Sequence, residues 1–162
     1  MPRLPFSAAE LGSVLAPLAQ AKPLPPAAYR DPAVFELERR ELFGRAWLAV
    51  ARSDELEDPG AFVRAPITPE GVLVARGADL ALYAHFNVCR HRGALVCRAP
   101  HGRTDAFVCP YHAWRYELTG RLSSAPGAQG LDGFRAADHG LASVSVAEWG
   151  GFVFVNLAVD PP

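Results

Sequence analysis

The sequence predicts a mainly β, antiparallel domain preceded by a helical lead-in, and three observations carry that reading. Short segments rich in Val, Phe, Tyr and Leu recur from Leu48 onward, separated by turns such as Pro69-Glu70-Gly71 and Leu118-Thr119-Gly120. No helical segment alternates with them, so the crossover units of a parallel sheet are missing. The strongest helix signal, Asp31-Pro32, lies ahead of them all. There a carboxylate can cap the first turn, and the proline ring has the helical φ built in.

Taken in order, Ser7-Ala8-Ala9-Glu10 has the form of a capping box and predicts a short helix through Leu18. Lys22-Pro23-Leu24-Pro25-Pro26 cannot continue it and reads as an extended tether. After Asp31-Pro32, the residues Phe35, Leu42, Phe43, Ala46 and Trp47 recur near the helical period and predict an apolar face packed on the domain. Glu36, Glu38, Arg39 and Arg40 take the other face. The acidic run Asp54 to Asp58, closed by Pro59-Gly60, reads as a solvated loop. Strands are predicted over 48–52, 61–65, 72–76, 80–86, 106–109, 114–117, 142–147 and 152–157.

Composition narrows the function. Half of the 162 residues are hydrophobic, enough for a folded core rather than a disordered chain. A net charge of −1 offers no basic surface for nucleic acid or an anionic membrane. No stretch approaches the ~20 apolar residues needed to span a bilayer, and Glu10 interrupts the one run that could imitate a signal peptide. A soluble cytoplasmic protein is expected. Three cysteines do not make a disulfide framework; Cys97, among Ala94, Leu95 and Val96, is expected as a small buried apolar residue.

The chemistry concentrates in one stretch. Cys89-Arg90-His91-Arg92-Gly93 and Cys109-Pro110-Tyr111-His112-Ala113-Trp114 each offer one thiolate and one imidazole. Two sulfur and two nitrogen donors can hold one tetrahedral zinc, or a [2Fe–2S] cluster with two Cys on one iron and two His on the other. Zinc sites usually pair cysteines as Cys-x₂₋₄-Cys, and the sequence has no such pair. Around this stretch the charge is uneven. Six arginines between Arg90 and Arg121 face only Asp105 and Glu117, a balance of +4, whereas residues 31 to 58 hold eight acidic side chains against four arginines, a balance of −4.

The flanking residues of both loops resemble those of Rieske iron–sulfur proteins, in particular the large subunits of ring-hydroxylating oxygenases. The likeness extends over Tyr29-Arg30-Asp31-Pro32 to Trp47, Asp58-Pro59-Gly60-Ala61-Phe62, Phe86-Asn87-Val88-Cys89 and Trp149-Gly150-Gly151-Phe152. It implies a Rieske-type antiparallel β-sandwich with a small cluster-binding subdomain. Residues 1–45 would form an arm and amphipathic helix, and residues 46–160 the cluster domain. It also implies a [2Fe–2S] cofactor bound by Cys89, His91, Cys109 and His112, and an electron-donor reductase or ferredoxin as partner. Ala113 departs from the Gly of many members, a change of one methyl expected to be tolerated.

High-potential relatives carry a disulfide cysteine in each loop and a Ser near the cluster. Here Ala94, Tyr111 and Trp114 fill those places, and Tyr116 is left as a possible hydroxyl donor, which implies a low potential. His85, His101 and His139 belong to no motif and are expected to be ordinary surface or core histidines. The oxygen-activating iron of such an oxygenase needs two His and a carboxylate. The catalytic domain that holds it would begin where this sequence stops, so the chain alone is expected to deliver electrons and to oxidise nothing. Two other readings remain open: a free-standing Rieske ferredoxin, and a zinc-stabilised binding module.

Overall fold

This computed structural model describes residues 5–128 and 130–161, which fall into two compact units, Met1–Ala46 and Trp47–Pro162. In the first unit α1, Ala8–Val14, opens with the full capping box: the Ser7 hydroxyl accepts from the Glu10 amide and the Glu10 carboxylate accepts from the Ser7 amide. It stops short of the expected Leu18 because Pro17 disfavours helical backbone at the residue before it. After the extended prolines comes one turn of helix, α2 at Ala27–Arg30. Then α3, Pro32–Glu38, has Asp31 as N-cap and Pro at its first position.

The expected apolar stripe on this helix is not buried. Phe35 is 56% and Leu42 54% exposed, and Phe43 is exposed as well; the buried side chain is Val34. The helix passes into a π-helical turn over Arg39–Phe43, whose wider winding breaks the 3.6-residue phase that the stripe relied on.

The second unit is antiparallel β throughout. Its strands are β1 Leu48–Arg52, β2 Ala61–Ala65, β3 Val72–Arg76, β4 Leu82–Phe86, β5 His101–Arg103, β6 Ala106–Val108, β7 Arg115–Glu117, β8 Leu122–Ser124, β9 Ser143–Trp149 and β10 Phe152–Asn156. Seven form one sheet in the order β1-β10-β9-β4-β3-β2-β5, which curls until β1 meets β2; β6, β7 and β8 form a second, smaller sheet. The predicted strands are found to within two residues of their ends. β5 and β8, three residues each, were not predicted: β5 is wholly exposed and too short to show a period-2 pattern.

Two cores result, and β3 separates them. Its alternation sends Val72 and Val74 into the curled sheet with Leu56, Val144, Val153 and Val155. Leu73 and Ala75 point the other way, to Phe107, Trp114, Tyr116 and Leu122 of the small sheet. Buried on both faces, β3 is accordingly an unbroken apolar run.

A polar latch joins the sheets. Buried His85 on β4 bonds through Nε2 to the Leu118 carbonyl, 3.0 Å away in the β7–β8 turn. Gly120 in that turn has φ +85°, and a Cβ there would stand 2.4 Å from the imidazole, so only glycine lets the turn close on the ring. His85 is thus a core histidine.

Candidate metal centre

Both Cys–His loops are built on one pattern at their tips. In the first, which follows β4, the Cys89 amide donates to the Ala94 carbonyl at 2.8 Å and the Gly93 amide to the Cys89 carbonyl at 3.0 Å. In the second, which joins β6 to β7, the Cys109 amide donates to the Trp114 carbonyl at 2.8 Å and the Ala113 amide to the Cys109 carbonyl at 3.0 Å. The fourth residue after each cysteine turns left-handed, Gly93 at φ +69° and Ala113 at φ +56°. Each tip thereby holds its cysteine rigidly at the base and projects its histidine.

The four side chains divide into two pairs. Cys89 and Cys109 are 3% and 2% exposed, and neither is in a disulfide. Burial is the main cause holding the Cys109 thiol above its usual pKa. The Tyr111 and His112 amides act against it, and the neighbouring Cys89 thiol adds to it. The two imidazoles meet edge to face with ring centroids 4.7 Å apart. Desolvation, then the nearby His112 and Arg92, hold His91 below its usual pKa. Among the described residues no three His, Cys, Asp or Glu side chains converge as one metal ion would require. Two thiols together and two imidazoles together suit a two-iron cluster better than one zinc ion.

Aromatic side chains frame the pairs. The Tyr116 hydroxyl lies 3.2 Å from Cys89 Sγ and accepts from the Arg90 amide at 3.1 Å. Burial first, then Cys89, pushes its pKa well above the ordinary phenol value. Trp114, buried, stacks on His91 at 4.8 Å with the planes 7° apart. Tyr111 covers His112 at 3.9 Å. The imidazoles open on a hollow of about 440 Å³ whose lining includes Arg90, Arg92, Trp114, Phe134 and His139.

The sequence anticipated Tyr116 as a donor but not the stacking of Trp114 on His91, which only the fold brings together. It also left His139 without a place. That residue packs on Phe134 and Trp114 in the hollow wall, while His101 is exposed on β5. Cys97 departs from expectation: it is half-buried at the edge of the small-sheet core, because the chain turns outward there towards exposed Arg98 and Pro100. The arginine excess is also smaller than its count. Arg103 pairs with Asp58, Arg115 with Asp105 and Arg121 with Glu117. The guanidinium groups of Arg90, Arg92 and Arg98 have no carboxylate partner among the described residues.

The Rieske [2Fe-2S] domain model matches residues 46–135. The oxygenase subunit of the glycine betaine monooxygenase of Chromohalobacter salexigens is 44% identical over 139 residues, 86% of this chain and 31% of that protein. A solved quaternary ammonium Rieske monooxygenase, CntA, superposes with a TM-score of 0.82 at 31% identity, over 88% of this chain and 40% of that one. Naphthalene 1,2-dioxygenase from Rhodococcus sp. gives 0.80 at 34% identity, over 86% of this chain and 32% of that one. The chain spans about a third of the length of the curated relatives it matches. Through a family match covering more than half its length, the chain belongs to the Rieske [2Fe-2S] domain family.

Proposed function

We propose that this domain transfers single electrons through a [2Fe–2S] cluster held by Cys89 and Cys109 on one iron and by His91 and His112 on the other. The observation that carries the reading is the division of the four donors into a buried thiol pair and an imidazole pair. When bound, such a cluster supplies a one-electron carrier whose potential depends on its ligands and on hydrogen bonds to its sulfurs. The chain's own residues do the rest. Burial keeps water from the thiolates, Tyr116 places its hydroxyl beside Cys89, and both imidazoles line the hollow.

The functional division is proposed as 1–45 for the lead-in and 46–160 for the cluster domain, with the family match starting at residue 46 in its support. The electron donor is proposed to be a reductase or ferredoxin with an acidic face, because Arg90, Arg92 and Arg98 lie unpaired around the loops. The electrons are proposed to go to an oxygenase iron outside this chain. In a chain of the relatives' length the substrate is proposed to be a quaternary amine, since the glycine betaine relative is 44% identical and the alpha subunit of a biphenyl dioxygenase 33%. Glycine betaine-dependent oxygen uptake that naphthalene does not elicit would check this. A cytoplasmic location is proposed; no described helix is long and apolar enough to cross a membrane.

Anaerobic reconstitution tests the cluster. The chain should turn reddish brown, hold iron and acid-labile sulfide in equal amounts, and show nitrogen ligation by electron–nuclear resonance. A folded, colourless chain holding one zinc after the same treatment would overturn the reading. Docking is tested by the second-order rate of reduction. It should fall as salt rises from ~0.01 to ~0.15 M, where the screening length shrinks from about 30 to about 8 Å. Arg98→Glu should slow association without changing the spectrum. A rate indifferent to salt and to this reversal removes the charged docking face.

A further inference from the structure

The two loops rest on different foundations. Beneath the tip of the second, an unbroken backbone ladder pairs Val108 with Arg115, Phe107 with Tyr116 and Ala106 with Glu117. Beneath the tip of the first there is one bridge, Val88 with Leu95, and then the backbone ladder stops. It stops because the next amides are already spent: the Asn87 amide donates to the Gly71 carbonyl, and the Phe86 amide to the Ala142 carbonyl.

At that level the Asn87 side chain takes over. Its Oδ1 accepts from the Val96 amide at 3.1 Å and from the Cys97 amide at 2.8 Å. Its Nδ2 donates to the Cys97 carbonyl at 2.7 Å and to the Glu70 carbonyl at 3.0 Å. Both N–H groups and both acceptor positions are filled, and the residue is 0% exposed. Four bonds thus tie the outgoing end of the first loop to its incoming end and to the β2–β3 turn.

We infer that Asn87 is a positioning residue for the first loop: its side chain supplies the rungs the backbone leaves out and so sets Cys89 and His91 against Cys109 and His112. The inference rests on the ligand reading above. Each loop contributes one thiolate and one imidazole, one to each iron. A shift of one loop against the other therefore changes the coordination at both metals, and metal sites tolerate errors of only a few tenths of an ångström. The amide is needed as such. Aspartate has no N–H to give, leucine neither gives nor accepts, and the longer glutamine displaces the head group from all four partners. A buried amide network is costly once half its partners are lost, so the tie holds as a unit.

The test uses the full chain loaded with its cluster, as wild type, Asn87→Ala, Asn87→Ser and the control Val74→Ala. Val74 is fully buried in the other core, whose members include no residue of either loop, so its truncation lowers stability alone. Both Asn87 variants should release iron to a chelator about tenfold faster or more, in the range seen when outer-sphere partners of metal ligands are removed. They should also shift the reduction potential and the paramagnetic g values. Val74→Ala should lower the unfolding midpoint and leave release, potential and g values at wild type.

Asn87 variants that match Val74→Ala in all three readouts overturn the inference and leave the ligand reading standing. Failure of both to fold where Val74→Ala folds also overturns it, since Asn87 would then serve folding alone. A wild type that takes up no cluster overturns the ligand reading and this inference with it.

Discussion

The two Cys–His loops are alike at their tips and unlike where they are anchored. Each tip closes with the same pair of backbone hydrogen bonds and the same left-handed residue four positions after the cysteine. Below the tips, the second loop continues into the β6–β7 ladder, whereas the first depends on one bridge and the buried amide of Asn87. The contrast teaches that the demand of the site is local. A tip must present a thiolate and an imidazole in fixed directions, and any foundation that stops the tip from shifting will serve.

The largest effect expected tests the equivalence of the tips. Cys89→Ala and Cys109→Ala should each abolish cluster binding, seen as loss of visible absorption and of bound iron, because each removes one of the two protein ligands proposed for one iron. Retention of a cluster by one variant and not the other would break the symmetry.

Tyr116 crosses between the loops: it stands on β7, beneath the second, and bonds to Cys89 and the Arg90 amide of the first. Tyr116→Phe should keep the cluster but lower its potential, since a sulfur ligand loses a hydrogen bond. It should also cost about 1–2 kcal/mol in denaturant unfolding, because the Arg90 amide is left without its partner. An unchanged potential would detach Tyr116 from the electronic side of the site.

The left-handed positions sharpen the comparison further. A Cβ at Gly93 would meet nothing within 4 Å, so the difference between the loops there is backbone conformation alone. Ala113→Gly should stabilise the chain by about 1 kcal/mol and Gly93→Ala should destabilise it by a similar amount, read from thermal or denaturant unfolding. Opposite signs of similar size would show that the tips are one structure.

The smallest effect is expected from His85, which latches the second loop's sheet to β4. Burial lowers its pKa, and the bond to the Leu118 carbonyl partly opposes that shift. The unfolded chain therefore binds this proton more readily than the folded one. Stability should fall as pH drops below about 6.5, the ordinary imidazole value, with no contribution from His85 above it. His85→Gln should flatten that acid limb in unfolding experiments at a series of pH values.

Much of the site was legible because its signals are local. Ser7–Glu10 and Asp31-Pro32 act on their own first turns, and both caps form as read. Cys-x-His and Cys-x₂-His name the proposed ligand types directly, and in the structure the two thiols are neighbours and so are the two imidazoles. The misreadings share a cause as well. Phe35 and Leu42 were assigned to a buried face by a 3.6-residue period that the π-helical turn does not keep. Cys97 was placed by its apolar neighbours, but the chain leaves the core just beyond it. The charge count had already set Asp105 and Glu117 against the arginines, but it missed Asp58, which pairs with Arg103 from 45 positions away.

By itself, the sequence determined the Cys and His pattern of the two loops, the antiparallel character of the strands and the positions of the caps. Each follows from residue type and short-range spacing, which act before the chain has any global shape. Only the tertiary structure decided what those elements lean on: Trp114 against His91, the Tyr116 hydroxyl against Cys89, His85 against Leu118, and the Asn87 amide between the two ends of the first loop and a turn. These contacts join residues up to 33 positions apart. Their energies depend on burial and direction, which exist only once the sheets have closed on one another.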